Sequence, residues 1–309
     1  MTGLGDLFSH PFMAHAFLAG VPVAALAGLV GYFMVLRSQV FTADALSHVA
    51  FSGVVTALAF GIDPRLGLFV GTVAFGAALG LLGNRGRADD VVVGSVFAWI
   101  LGLGVLALSV YRTSAHSAVN GAAGVNVLFG SVFGLSSTQA VIAAVTAGLL
   151  IVALLAAARP LLFASLDEAV AAARGVPVRA LGVGFLCLVG ASVAEATSAV
   201  GTLLLLGLLA APAGTAHRVT DRPYRAMVLA SGLSVLAMVT GLIASYVWST
   251  VPPSFAILAV ASTGYAASFL VRPPHRAPDS PGRGGPELGA RVSAAGRPSG
   301  PRSRSPGAP

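Results

Sequence analysis

The chain has 309 residues, of which 56% are hydrophobic and only 9% charged, so most of its length cannot furnish the polar surface of a soluble domain and must be solvated by lipid. Its 18 basic residues are all Arg, so the lysine of a phosphate-cradling GxxxxGK[ST] loop is missing and ATP hydrolysis is expected on another chain, not on this one. Cys187 is the sole cysteine, which excludes a disulfide framework or a thiolate cluster and leaves oxygen and nitrogen as the donors for any metal.

The expected start of the chain, MTGLGDLFSHPF, carries an acid and no basic n-region, so the first apolar run is expected to remain as an anchor rather than be removed as a signal peptide. Apolar runs then recur at the length a helix needs, roughly 20 residues at 1.5 Å each across a 30 Å hydrocarbon core. Nine are predicted, at residues 14–36, 41–60, 64–82, 91–110, 138–158, 178–194, 199–216, 226–247 and 254–271. The fold class is therefore all-α, a polytopic transmembrane helical bundle of about nine helices over residues 1–271. Gly67, Gly71, Gly76, Gly201 and Gly207 fall inside these runs, where small residues let helices approach closely in lipid.

Two connections are longer than a bundle needs. Residues 121–135, GAAGVNVLFGSVFGL, are apolar and Gly-rich but too short to span, which leaves a re-entrant segment and an interfacial loop as equal readings. Residues 161–177 read LLFASLDEAVAAARGVP. Ser165 as a cap, Asp167 and Glu168 in the first turn, an Ala-rich body and an end at Arg174 and Gly175 predict a short helix in a cytosolic loop, suited to docking. The tail, residues 272–309, is rich in Pro, Gly, Ser and Arg and is expected to be disordered. It holds seven of the Arg against Asp279 and Glu287, or +5 of the formal +7. A basic end touching anionic lipid accounts for that charge without nucleic acid.

Orientation follows from the arginines, because cytoplasmic loops carry the basic excess. Alternate connections hold Arg37, then Arg85 and Arg87, then Arg159, Arg174 and Arg179, then Arg218, Arg222 and Arg225, and the other set holds only Arg65 and Arg112. This places the N-terminus outside and the C-terminus in the cytosol of a multi-pass cytoplasmic-membrane protein.

Ionisable residues within membrane segments are costly and mark function. In TADALSHVAFSG, residues 42–53, Asp44 and His48 stand four apart and share a helical face. They offer a carboxylate oxygen and an imidazole nitrogen to a divalent cation, with Ser47 adjacent. The other reading makes Asp44 the cap of the second helix, compensated by Arg37, and His48 a packing residue. Glu195 is expected at the outer turn between the sixth and seventh helices, as an exposed loop carboxylate or the lining of an outer vestibule.

Residues 31–54, GYFMVLRSQVFTADALSHVAFSGV, resemble the first signature of the ABC permeases for zinc, manganese and iron, which read roughly G-x-F-x-V-L-R-r and then GDALSHA. Residues 161–182 resemble that family's cytosolic loop, and AVGTLLLLGLLAAPAGTAHRVTDR, residues 199–222, its V-G-x-L-L-x-x-A-L-L-x-x-P-A-A-x-A stretch. Ala43 replaces the usual Gly before the Asp, and Leu166 the usual Phe before the loop acid. The resemblance implies a permease that pairs with itself, with ABC ATPase subunits and with an extracellular metal-binding protein, carrying zinc or manganese as cargo with no resident cofactor. It assigns Asp44 and His48 to the ion path and Leu166, Asp167, Glu168, Ala171 and Gly175 to an ATPase-coupling helix. The rival readings are an ABC permease for a chelated metal and a gradient-driven secondary cation transporter.

Overall fold

The computed structural model describes residues 11–83, 90–113, 132–248 and 250–271. They contain ten α-helices: α1 Pro11–Leu36, α2 Val40–Ala59, α3 Pro64–Leu82, α4 Asp90–Thr113, α5 Ser137–Leu166, α6 Glu168–Ala173, α7 Val178–Val200, α8 Thr202–Val219, α9 Pro223–Val247 and α10 Pro253–Val271. Every α-helix except α6 corresponds to one of the nine predicted runs. Eight are long and apolar enough to cross a membrane, while the apolar stretch Leu204–Val219 of α8 is shorter. The predicted tail lies outside the described residues, as does most of the segment 121–135, whose end forms the 3-10 turn Val132–Gly134.

Local sequence explains several helix ends. Asp63 accepts a hydrogen bond from Arg65 N at 2.8 Å and precedes Pro64, a residue suited to the first helical position, so α3 starts there. Ser136 and Gln139 form a reciprocal capping box at the head of α5. The boundary between α7 and α8 departs from expectation: α7 continues through Glu195 and ends at Gly201, whose φ of 93° is open to glycine at little cost. The Ala-rich VAEATSAV run is helix-competent, and nothing in it breaks the helix before that glycine.

Helix α1 forms the centre of the bundle, packed against α5, α7, α8 and α9, with most of its second half buried. Helix α2 sits between α3 on one side and α4 on the other. Helix α4 is the least enclosed, with Trp99, Val105 and Leu106 exposed. The α2–α3 contact is a close backbone approach at Gly53, Gly67 and Gly71: a Cβ on Gly67 would press on the Gly53 carbonyl oxygen and on Ala57 Cβ. This contact, together with a similar one of Gly76 against the Leu186 carbonyl, locks the site helix onto α3 and α3 onto α7.

Gly67→Ala should therefore lower the thermal unfolding temperature of the detergent-solubilised protein. Gly148→Ala, where a Cβ meets nothing within 4 Å, should leave it unchanged or raise it, since Ala in a helix is favoured over Gly by roughly 0.5–1 kcal/mol. Equal responses at the two positions would contradict the close-packing account.

Candidate functional site

Helix α2 begins at Val40 behind Gln39, whose carbonyl accepts from Thr42 N at 3.0 Å and from Ala43 N at 3.4 Å. Asp44 is thus inside the helix and is not its cap, which removes the capping reading. At 1.5 Å per residue, Asp44 lies about 6 Å and His48 about 12 Å along the α2 axis from its start. Their neighbours Ala43, Ala45, Leu46 and Val49 are buried, whereas the side chains of Asp44 and His48 are 35% and 46% exposed. His48 Nε2 stands 3.8 Å from Asp44 Oδ1, too long for a hydrogen bond. The two side chains therefore share one open face of an otherwise enclosed helix, bordered by α4, where the Phe97 ring lies 5.9 Å from the imidazole.

Ser47 does not join them. Its side chain is buried, and its hydroxyl donates to the Asp44 carbonyl at 2.7 Å, an i−3 back-bond that turns it into the bundle. Among the described residues, no three His, Cys, Asp or Glu side chains gather as a metal site. One carboxylate and one imidazole from a single chain can contact a cation in passage but do not fill its coordination shell.

Glu195 is placed otherwise than expected. It is fully buried within α7, and both carboxylate oxygens accept from Arg65 Nη2 at 3.3 Å. Neither the exposed loop carboxylate nor a vestibule lining holds, because helix α7 extends past the predicted turn and the guanidinium at the head of α3 compensates the buried charge. Arg65 also borders a cavity of about 190 Å³ together with Gln139 and Thr197.

At the opposite end of α7, the predicted short helix forms but is shorter than expected. Leu166 is the last residue of α5, and α6 runs Glu168–Ala173. Its cap is Asp167, whose side chain accepts from Val170 N at 2.9 Å, and not Ser165, which stays in α5 and donates to the Leu161 carbonyl. Gly175, at φ 80°, closes the turn. Ala171 is buried while Leu166 and Val170 are exposed. Beside α6 lies an open recess bordered by Leu81, Leu82, Glu168, Ala172 and Arg179.

Two further groups hold contacts that the sequence does not signal. Arg37 is buried where the end of α1 meets α5 and α7. His217 of α8 places Nε2 3.0 Å from the Tyr32 carbonyl oxygen and stacks on that ring at 4.6 Å. Both depend on partners distant in sequence, which no local motif signals.

The sequence pattern of the ABC 3 transport family matches residues 9–272. The chain belongs to this family. It is accordingly a multi-pass membrane protein of an ABC transport system, a permease subunit and not itself a catalyst. Relatives in the family include the manganese transport system membrane protein MntC of Halalkalibacterium halodurans, 27% identical over 87% of this chain and 90% of that protein. The chelated iron transport system membrane protein YfeD of Yersinia pestis is 28% identical over 79% of this chain and 80% of its own length. Among solved structures, PsaBC from Streptococcus pneumoniae in complex with Fab superposes with a TM-score of 0.72 at 25% identity, over 87% of this chain and 95% of that one. An ABC transporter in an inward-facing conformation shares the fold, with a TM-score of 0.61 at 20% identity over 88% of this chain and 91% of that one.

Removing one partner of a buried ion pair costs about 3–5 kcal/mol, because the other charge is left stranded. Arg65→Ala should therefore strongly destabilise the permease, whereas Glu195→Gln should cost less, because Arg65 is 31% exposed and can reach water. The double variant should recover much of the Arg65→Ala loss in thermal unfolding; simply additive losses would show that the pair is energetically idle.

Proposed function

We propose that this chain is the membrane-spanning subunit of an importer that carries a divalent transition-metal ion, manganese, zinc or iron, across the cytoplasmic membrane, driven by ATP hydrolysis on a partner subunit. The observation that carries the reading is the open Asp44–His48 face on α2. A half-exposed carboxylate and imidazole in a membrane segment are expensive, and they persist where they meet a partner or a water-filled path. Their oxygen and nitrogen donors suit a borderline divalent ion, and two ligands per chain suit transit better than storage. The names of the manganese and iron relatives point the same way.

A second copy of the chain would shield this face and supply another Asp44 and His48, which favours a homodimer around the ion path. The ATPase docks at the α6 end, where Leu166, Val170 and the nearby recess are accessible. The extracellular metal-binding protein delivers its cargo at the other end. Arg37 and Arg179 lie with α6 while Arg65 lies at the far end, so the positive-inside bias supports a cytosolic α6, an outer N-terminus and a cytosolic C-terminus. The name of YfeD supports a second reading, a chelated metal as cargo, which would have less use for bare ligands.

The test is metal uptake by the complete complex in proteoliposomes, normalised to inserted permease, with manganese, zinc and iron in competition. Asp44→Ala and His48→Ala should each abolish or severely reduce flux while leaving insertion intact, since Ala is well tolerated in a helix. Near wild-type normalised flux in both would overturn the ligand assignment, and import of a chelate but no free ion would favour the second reading.

Coupling has its own test. Ala171 N donates to the Asp167 carbonyl at 3.1 Å inside α6, and Pro in a helix interior costs about 3 kcal/mol. Ala171→Pro should uncouple ATP hydrolysis from uptake in the assembled complex; normal coupled uptake would make α6 a mere connector.

A further inference from the structure

We propose that Arg37 is a positioning residue that ties the coupling helix α6 to the first turn of α2, so that movement at the ATPase contact is delivered to the helix bearing Asp44 and His48. The inference rests on the transporter reading above and assigns to Arg37 a role that its place in a basic cytosolic loop does not explain.

The geometry is a three-way junction. Arg37 is 5% exposed. Its Nε donates to Gln39 Oε1 at 3.1 Å, its Nη1 donates to Ser165 Oγ at 3.4 Å, and its guanidinium lies 5.3 Å from the centre of the Phe185 ring of α7. Ser165 donates its own hydroxyl hydrogen to the Leu161 carbonyl at 2.6 Å, so toward Arg37 its oxygen acts as the acceptor. Two residues after Ser165 comes Asp167, the cap of α6. On the other side, Gln39 is the residue whose carbonyl holds the first turn of α2, five positions before Asp44.

The intervening link is also constrained. Ser38 adopts φ 55°, a left-handed conformation that costs a non-glycine residue energy and persists only where its surroundings hold it. Ser38 N bonds to the Val35 carbonyl at 3.1 Å and Gln39 N to the Met34 carbonyl at 2.8 Å, so the turn from α1 into α2 has little slack. A planar guanidinium can bond Gln39 and Ser165 while stacking near a ring; a lysine ammonium cannot hold that fork. If the end of α5 shifts with α6, Arg37 must either carry the head of α2 along or break its contacts. That is a contiguous physical link of the kind through which coupling travels.

The experiment follows α2 without using metal. A single cysteine, Phe41→Cys in a Cys187→Ala background, sits at the exposed head of α2. Its maleimide reactivity is compared in the assembled permease–ATPase complex with and without vanadate-trapped nucleotide. With Arg37 intact, trapping should change reactivity severalfold. Arg37→Gln and Arg37→Lys should lose that response while the partner's ATP hydrolysis continues, and ATP consumed per ion imported should rise. Ser165→Ala removes one hydroxyl, threatens the fold least, and should weaken the response. An unchanged response in both Ser165→Ala and the Arg37 variants, or no response with Arg37 intact, would overturn the proposal. Wild-type metal uptake in the same vesicles tests the transporter reading separately.

Discussion

Lipid offers no solvent to a charge, and each ionisable side chain inside this bundle has to be reconciled with that cost. Three solutions coexist. Glu195 is buried and answered by the Arg65 guanidinium. Arg37 is buried among contacts that include the Gln39 and Ser165 side-chain oxygens and the Phe185 ring. Asp44 and His48 are left facing outward on α2, separated by 3.8 Å and without the close contact that would quench them. The first two solutions hold helices together. The third leaves chemistry available, which is why the ion path is assigned there.

Packing makes that third solution affordable. Small residues bring α2 against α3 and α3 against α7 at backbone distance, in a medium that supplies no hydrophobic drive between helices. The site helix is therefore held on its buried side, with Ser47, Leu46 and Val49 enclosed, and its ionisable face is turned toward α4. The same lattice runs to the end of the bundle where α5 hands over to α6 within hydrogen-bonding reach of Arg37. The proposed cation face and the proposed ATPase contact are thus opposite ends of one short mechanical path.

Much of this was readable because the signals are local. Apolar run length locates the long helices, and the i, i+4 spacing puts Asp44 and His48 on one face. Asp167, Glu168 and Gly175 marked the short helix. What failed depended on distant partners or on competition between equally local options. Ser165 and Asp167 are both good caps, and Asp167 prevails because α5 continues helical through Ser165 to Leu166. Glu195 looked like a turn residue because carboxylates rarely lie inside apolar helices; its partner is 130 positions away. Ser47 has the right residue type beside the pair, but helical back-bonding to Asp44 decides its direction. The Arg37–Ser165 contact spans 128 positions and leaves no trace in either segment alone.

An ion that touches the Asp44–His48 face of α2 in transit takes oxygen and nitrogen donors from it. Metal-edge X-ray absorption on the permease–ATPase complex in nanodiscs, loaded with zinc or manganese in the absence of the extracellular binding protein, addresses that contact most directly. Contact with this face should give a first shell of oxygen and nitrogen donors with imidazole scattering that disappears in His48→Ala and loses an oxygen contribution in Asp44→Ala. A metal shell unchanged by both substitutions, or a spectrum of fully hydrated ion alone, would contradict it.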